Sequence, residues 1–260
     1  MAIITLTTDL GDKDIYQAAL KGSILKLFPS VNIVDITNSV AAYNIQQAAF
    51  ILKNSFYYFP DATVHLIGID TVYNTDTRYL AIKYKNHFFV GADNGIFSLM
   101  FDADPDEIVE LNIMQDFKFL HFPLADIFVK AACHLAQGGA LSKIGIPVIG
   151  IEKKMNLQPV VEKNLIKGSV IYIDSFQNVI TNITKDFFNT VQQGRRFLLS
   201  FKRNETINHL SWHYNEVPEG EKLCMFGISD HLEIAINKGN ASGLLGLNIG
   251  DSVVINFIET

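Results

Sequence analysis

Asp9, Asp12 and Asp14 follow the apolar, β-rich run AIITLTT and precede a helix-like segment. In an open α/β fold, a carboxylate just past a strand sits at the carboxyl edge of the sheet, where such folds bind ligands. That places Asp9 at a candidate site. Its turn carries no Gly-x-Gly-x-x-Gly or Walker pattern, so it is not built to cradle phosphate, and a lone carboxylate suits the hydroxyl pair of a sugar. Asp12 and Asp14 serve equally well as caps and first-turn charges of the helix that follows. Asp70 ends another strand-like run, and Arg78 lies eight residues on. The two are candidates for a charge-assisted pair or for a surface salt bridge across a loop. GADNG sets Asn94 and Gly95 between a strand and a helix, alone an ordinary turn. DSFQNVITNI concentrates Asp174, Phe176 and Asn178 between two strands. An acid, an aromatic plate and an amide can grip a nucleoside, or form a polar turn around one buried Phe. His209 and His213 stand four apart, but the Glu of His-Glu-x-x-His is missing, which argues against zinc. No Gly-x-Ser-x-Gly elbow occurs.

Those residues sit in a chain of 260 residues with 48% apolar side chains, enough for one large domain or two modest ones. Only 18% of residues are charged and the formal net charge is −6, so no basic field is available to neutralise a phosphate backbone, and nucleic acid is not an expected partner. Two cysteines, Cys133 and Cys224, are too few for a disulfide framework and point to a reducing, cytoplasmic setting. MAIITLTTDLGDKD lacks the basic start of a signal peptide, and no segment approaches the roughly 20 uncharged apolar residues of a membrane span.

The elements that must position the candidates read as follows. AIITLTT is a strand. Ile15, Ala18, Ala19, Gly22 and Leu25 mark one face of a helix that stops at Pro29. VNIVDI, a helix bearing Ile45, Ala48, Ala49, Leu52 and Phe56, and the strand ATVHLIGID continue a βαβ pattern. RYLAIKYK and FFVGAD form a pair of strands around Asn86 and His87, and a short helix (GIFSLMF), a strand (EIVELNI) and the helix DIFVKAACHLAQGG follow, with Gly138 and Gly139 as C-terminal cap. After about residue 150 helical periodicity disappears, and GSVIYID, VITNI, RRFLLSF, KLCMFGI, HLEIAI and DSVVINFIE succeed one another as strands. The pattern predicts an α/β N-terminal domain with a mostly parallel sheet over 1–150, a connector over 151–163 and a smaller, mostly β, barrel-like C-terminal domain over 164–260. FKFLHFPLAD also reads as a strand, which would turn His121 and Pro123 to the same side.

TTDLG with the later Lys21-Gly22, the strand-ending Asp70, VGADNG, ADIFVKAA, DSFQNVITNI, YNEVPEGE and HLEIAINKGNASGLLGLNIGD occur in an order and spacing that resemble the SAM hydroxide adenosyltransferase family, the S-adenosylmethionine hydrolases related to fluorinases and chlorinases. The resemblance runs through nearly the whole chain. It implies an α/β domain followed by a β domain, a homotrimer, and a ligand held between one subunit's N-terminal domain and its neighbour's C-terminal domain. It makes Asp9 the ligand of the ribose hydroxyls and sets Tyr43 near the methionine and ribose. Asn94 falls in the family's Asp-Asn-Gly turn. Asp174, Phe176 and Asn178 match the segment that holds the amino acid and nucleoside, and Tyr214 and the backbone around Asn240 and Ala241 match the adenine region.

On the catalytic side the family activates water with an Asp, an Arg and a His, and Asp70 and Arg78 take the first two places. Pro123 stands at the His position, so His121, two residues earlier, is the candidate substitute base. Leu124 occupies the place of the halogenases' hydroxyl residue, which disfavours halogenase chemistry. Gly227, Ile228 and Asp230 replace the usual Asn, Ser and Gly. The implied activity is hydrolysis of S-adenosyl-L-methionine (SAM) to adenosine and methionine by attack of water at the ribose C5′, with no cofactor and no metal. Two alternatives stand beside it: a relative that binds SAM or adenosine with little or no turnover, and a calcium-dependent nucleoside hydrolase, suggested by the Asp9, Asp12 and Asp14 cluster because hard cations prefer several carboxylates.

Overall fold

The computed structural model describes residues 1–72, 77–202 and 205–258. The chain divides into two compact units, Met1–Met155 and Asn156–Thr260.

In the first unit, β1 (Ile3–Thr8), α1 (Ile15–Leu27), β2 (Asn32–Thr37), α2 (Ile45–Lys53) and β3 (Val64–Gly68) realise the βαβ pattern. They are followed by β4 (Tyr79–Tyr84), β5 (His87–Ala92), α3 (Ile96–Met100), β6 (Glu107–Leu111), α4 (Ile127–Ala136) and β7 (Gly145–Pro147). The sheet order is β2-β1-β3-β5-β4-β6-β7. Pairing is parallel from β2 to β5 and antiparallel beyond it, so β1, β2, β3, β5 and β6 run one way and β4 and β7 the other. Most strands are therefore parallel in direction, as the βαβ grammar predicts.

Strand alternation sends successive side chains to opposite faces. Ile4, Leu6, Val64 and Leu66 pack with Leu20 and Ile24 of α1 and Phe128 of α4. Ile67, Leu80, Ile82 and Phe89 pack on the other side with Ala48 and Leu52 of α2 and Phe97 of α3. Because β2 and β3 flank β1 on opposite sides, right-handed crossovers put α1 and α2 on opposite faces. The carboxyl ends of β1 and β3 consequently form the switch point at which open α/β sheets bind ligands.

The α2 face also buries two histidines. His65 on β3 is fully buried, 2.7 Å from Thr5 Oγ1 through Nδ1 and 3.1 Å from His87 Nδ1 through Nε2, and it stacks on Phe89 at 4.8 Å. Burial, reinforced by the neighbouring His87, pushes its pKa down to about 3.

FKFLHFPLAD is not a strand. It forms two single 3-10 turns, Phe117–Phe119 and Pro123–Ala125. Asp116 caps the first by accepting from the Lys118 N–H, and Pro123 opens the second, where its missing N–H costs nothing. His121 is exposed and Pro123 is buried, so the shared side that would have made His121 a substitute base does not exist.

The second unit holds β8 (Val160–Glu162), β9 (Leu165–Ile173), β10 (Val179–Thr184), α5 (Lys185–Gln192), β11 (Arg196–Phe201), β12 (Glu205–Ile207), β13 (Lys222–Phe226), β14 (His231–Ile236), α6 (Ala241–Leu245) and β15 (Ser252–Ile258). All its pairings are antiparallel, in the order β12-β11-β15-β9-β10-β14-β13, with β8 on β9. Lys222 of β13 bonds Glu205 of β12, which brings the two ends of the order together and nearly closes the sheet into a barrel. Helical structure does not vanish here, contrary to expectation. α5 is capped by the Thr184 hydroxyl, which accepts from the Phe187 N–H, and it buries Phe188 against Phe197, Phe226 and Phe257.

Candidate nucleoside site

The switch-point edge collects four of the candidates. Thr8 of β1 pairs with Gly68 of β3, and the Asp9 N–H donates to the Gly68 carbonyl at 3.3 Å. Asp9 Oδ2 accepts from the Tyr43 N–H at 2.9 Å, which ties the turn before α2 to the end of β1. Tyr43 is held at φ 63°, a left-handed conformation uncommon outside glycine, and its ring is largely exposed. Asp70 follows β3. Asn94, past β5, donates from Nδ2 to the Ile69 carbonyl at 3.0 Å and accepts from the Ile96 N–H through Oδ1. Asp9, Tyr43, Asp70 and Asn94 thus lie along one sheet edge.

Arg78 leads into β4 at the same edge but does not pair with Asp70, the partner considered for it. Its guanidinium bonds Asp93 at 2.5 Å and the Gly150 carbonyl at 3.3 Å, while Asp93 Oδ1 accepts from the Glu152 N–H at 2.8 Å. Residues 73–76 of the intervening loop fall outside the described residues. Leu124 packs over the same edge. A Cβ on Gly68 would lie 2.4 Å from its Cδ2 and 3.1 Å from Thr8 Cγ2, so Gly68 is what admits it. Asp12 is engaged with Gln17 and Ser39, and Asp14 is the N-cap residue of α1 without a side-chain cap bond. Among the described residues no three His, Cys, Asp or Glu side chains converge as metal ligands, and His213 instead approaches Glu216 at 3.5 Å.

In the second unit a cleft of about 560 Å³ is lined by Phe176, Asn178, Tyr214, Ile236, Asn237, Lys238, Gly239 and Asn240. Phe176, Asn178, Tyr214 and Asn240, scattered along the sequence, meet here. Asp174 and Asn178 close the β9–β10 hairpin: the two Asp174 oxygens accept from the Asn178 N–H at 2.8 Å and from its Nδ2 at 3.1 Å. That leaves the Phe176 ring at the tip, 81% exposed, as an aromatic plate without a cover. The Gln177 carbonyl accepts from the Ser242 N–H and fixes the tip against α6. Asn240 caps α6 by accepting from the Gly243 N–H, and Ala241, its first residue, is fully buried, so only main chain is presented there. Such a cleft, mostly apolar with a few placed amides and two rings, suits a flat heterocycle.

The residue that sequence reasoning missed is Glu233. Tyr214 donates its hydroxyl to Glu233 Oε1 at 2.7 Å, and Glu233 as a residue is only 6% exposed. Burial pushes the Glu233 pKa up, the Tyr214 bond works against it and the Asp174 charge adds to it. Tyr214 is pushed up as well, by burial first and then by Glu233 and Asp174. The one available signal was strand alternation in HLEIAI, which turns Glu233 away from Leu232, Ile234 and Ile236 of the barrel core.

The SAM hydroxide adenosyltransferase N-terminal domain profile matches residues 4–145, and the C-terminal domain profile of the same family matches residues 168–254. The chain belongs to the SAM hydroxide adenosyltransferase family. Among relatives in that family, the (R)-S-adenosyl-L-methionine hydrolases of Methanocaldococcus jannaschii and Thermus thermophilus are each 28% identical, covering 97% and 96% of this chain and 95% and 98% of their own. A fluorinase of Actinoplanes is 22% identical over 72% of this chain and 70% of its own. A conserved protein of Thermotoga maritima has the same fold, with a TM-score of 0.87 at 30% identity over 98% of this chain and 99% of that one. The match of both family domains agrees with the two units described above.

Proposed function

We propose that this chain is a SAM hydrolase that forms adenosine and L-methionine. The observation that carries the proposal is the near-full-length likeness to (R)-S-adenosyl-L-methionine hydrolases, and the edge and cleft supply chemistry of the right kind. Asp9 accepts from the ribose hydroxyls through the capacity that the Tyr43 N–H leaves on its carboxylate. Phe176 and Tyr214 face the adenine, and Asn178, Asn94 and the main chain at Asn240 and Ala241 complete the polar contacts, with Asp174 holding Asn178 in place. Water forms the new C5′–O bond as the C5′–S bond breaks, the sulfur keeps the bonding pair and leaves as the neutral thioether of methionine, and the water's proton passes to a base or to solvent. The sulfonium is already an activated leaving group, so the protein's work is chiefly to align one water and exclude others. Asp70 is assigned to take the proton, supported by the family resemblance and by its position just past β3. Arg78, bound to Asp93, fixes the neighbouring chain, and His121 stands as the weaker candidate because it is exposed on a turn.

The proposal extends to a homotrimer with sites shared between subunits, supported by the family resemblance and by ribose and base ligands that lie in different units of the chain. It places the enzyme in the cytoplasm, in keeping with Cys133 and Cys224 as buried thiols whose pKa values burial raises to about 11 and about 12. No helix among the described residues is long and apolar enough to cross a membrane.

The test is to incubate the purified protein with SAM and separate adenosine and methionine by chromatography, with and without EDTA. Release of both products in either condition is expected. Asp9→Ala should weaken adenosine binding by about ten- to a hundredfold, from a loss on the order of 1.5–3 kcal/mol for a charge-assisted bond. A second reading, a nucleoside-binding protein without turnover, is favoured by Pro123 and the apolar Leu124 at the edge, and adenosine binding with no product from SAM would establish it.

A further inference from the structure

Tyr214 reaches the cleft from a segment with little regular structure. Between β12 and β13 the short turn Tyr214–Glu216 is the one regular element among the described residues. A ring on such a segment has two torsions to settle, and a wall that swings is a poor partner for a flat ligand. Its hydroxyl is tethered to Glu233, which stands within β14, a strand hydrogen-bonded to β10 on one side and β13 on the other. The carboxylate fits because residue 227 is glycine. A Cβ there would lie 2.7 Å from Glu233 Oε2. Glu233 itself does not line the cleft.

A buried acid that feels the charge of Asp174 is an unfavourable arrangement in itself, and burial first and then that charge raise its pKa. Perturbed carboxylates cluster at functional sites and also occur in structural networks, so the geometry around this one decides its part. Here the carboxylate's one side-chain bond runs to a cleft residue.

We propose that Glu233 is a positioning residue for the base site: it anchors the Tyr214 hydroxyl to the barrel and so fixes the ring angle presented to the heterocycle, without touching the ligand. The inference rests on the reading that this cleft receives adenine. It makes Tyr214 and Glu233 one device, whose parts fail together.

The experiment uses the full-length protein and adenosine as the probe, with affinity measured by calorimetry for wild type, Tyr214→Phe, Glu233→Ala, Glu233→Gln and the double variant Tyr214→Phe/Glu233→Ala. Each of Tyr214→Phe and Glu233→Ala should weaken binding about tenfold, the scale of one hydrogen bond. The double variant should be no weaker than either alone, and Glu233→Gln, which keeps an acceptor oxygen, should stay within about threefold of wild type. Additive losses, or a Glu233→Gln as weak as Glu233→Ala, overturn the positioning role. Should Glu233→Ala not fold, Tyr214→Phe still decides, because it keeps the ring, and unchanged adenosine affinity overturns the proposal. A wild type that does not bind adenosine overturns the base-site reading and the inference with it. The expected pattern in adenosine binding without SAM turnover supports the inference and overturns only the hydrolase reading.

Discussion

Lowering the pH from 7 to 5 should destabilise this protein, and His65 is the reason. Unfolded, its imidazole takes a proton near 6.5; folded, burial beside His87 holds it neutral down to about 3. The folded state therefore binds fewer protons than the unfolded state between those values, so stability is complete above the upper one and is lost as pH falls toward the lower. At about 1.4 kcal/mol per pH unit, the whole window corresponds to about 5 kcal/mol, of which about 2 kcal/mol is lost by pH 5. His87, also lowered chiefly by burial although Asp61 opposes it, adds in the same direction. The assay is urea unfolding at pH 7, 6 and 5 for wild type and His65→Asn, whose amide can still meet Thr5. The variant should be less stable at pH 7, because stacking on Phe89 is lost, but its stability should fall less steeply with acid. Parallel curves for the two proteins would refute the reasoning, since they would mean that His65 takes up no proton on unfolding.

Gly68→Ala should cost about 1–3 kcal/mol in urea unfolding by overpacking against the fully buried Leu124, and Leu124→Ala in the same chain should restore part of it. Thr184→Ala, which removes the cap of α5, should cost about 1 kcal/mol by the same measurement. Glu233→Gln should gain stability relative to wild type as pH rises above the ordinary carboxylate range, because a carboxyl whose pKa burial has raised opposes folding once it must ionise. A difference independent of pH would sink that assignment.

The apolar run of β1 and the turn after it were legible, and with them the position of Asp9, because a βαβ unit leaves few places for a strand-ending carboxylate. The face read for α1 was the wrong one, since Ile15 and Leu25 are exposed and Leu20 and Ile24 are the residues it buries. The cleft was legible only as separate pieces. Phe176, Asn178, Tyr214 and Asn240 come from three segments, and no local pattern says that the β9–β10 hairpin, the loop before β13 and the start of α6 converge. FKFLHFPLAD misled because its apolar alternation matches a strand, while the decisive features are polar and local: Asp116 capping a turn, and Asp126 accepting the Asp116 N–H at 2.8 Å. α5 was hidden by its brevity, since eight residues give barely two turns of periodicity. Arg78 went to Asp93 rather than Asp70 because Asp93 sits directly across the start of β4, its N–H bonded to the Arg78 carbonyl at 2.8 Å. Spacing in the sequence could not reveal that a partner fifteen residues on would be nearer than one eight residues back.

That Arg78–Asp93 pair carries a practical consequence for anyone who would excise the first half of the protein. The Gly150 carbonyl and the Glu152 N–H complete the ring of bonds around the two charged groups, and Ser98 secures Lys154 just beyond. A fragment cut after β7, at residue 147, would keep every strand of its sheet yet leave the buried Asp93 without the Glu152 N–H donor and Arg78 without the Gly150 carbonyl acceptor. Soluble expression of such a fragment should demand a tail reaching Met155, so the last eight residues belong to the sheet's edge as much as any strand does.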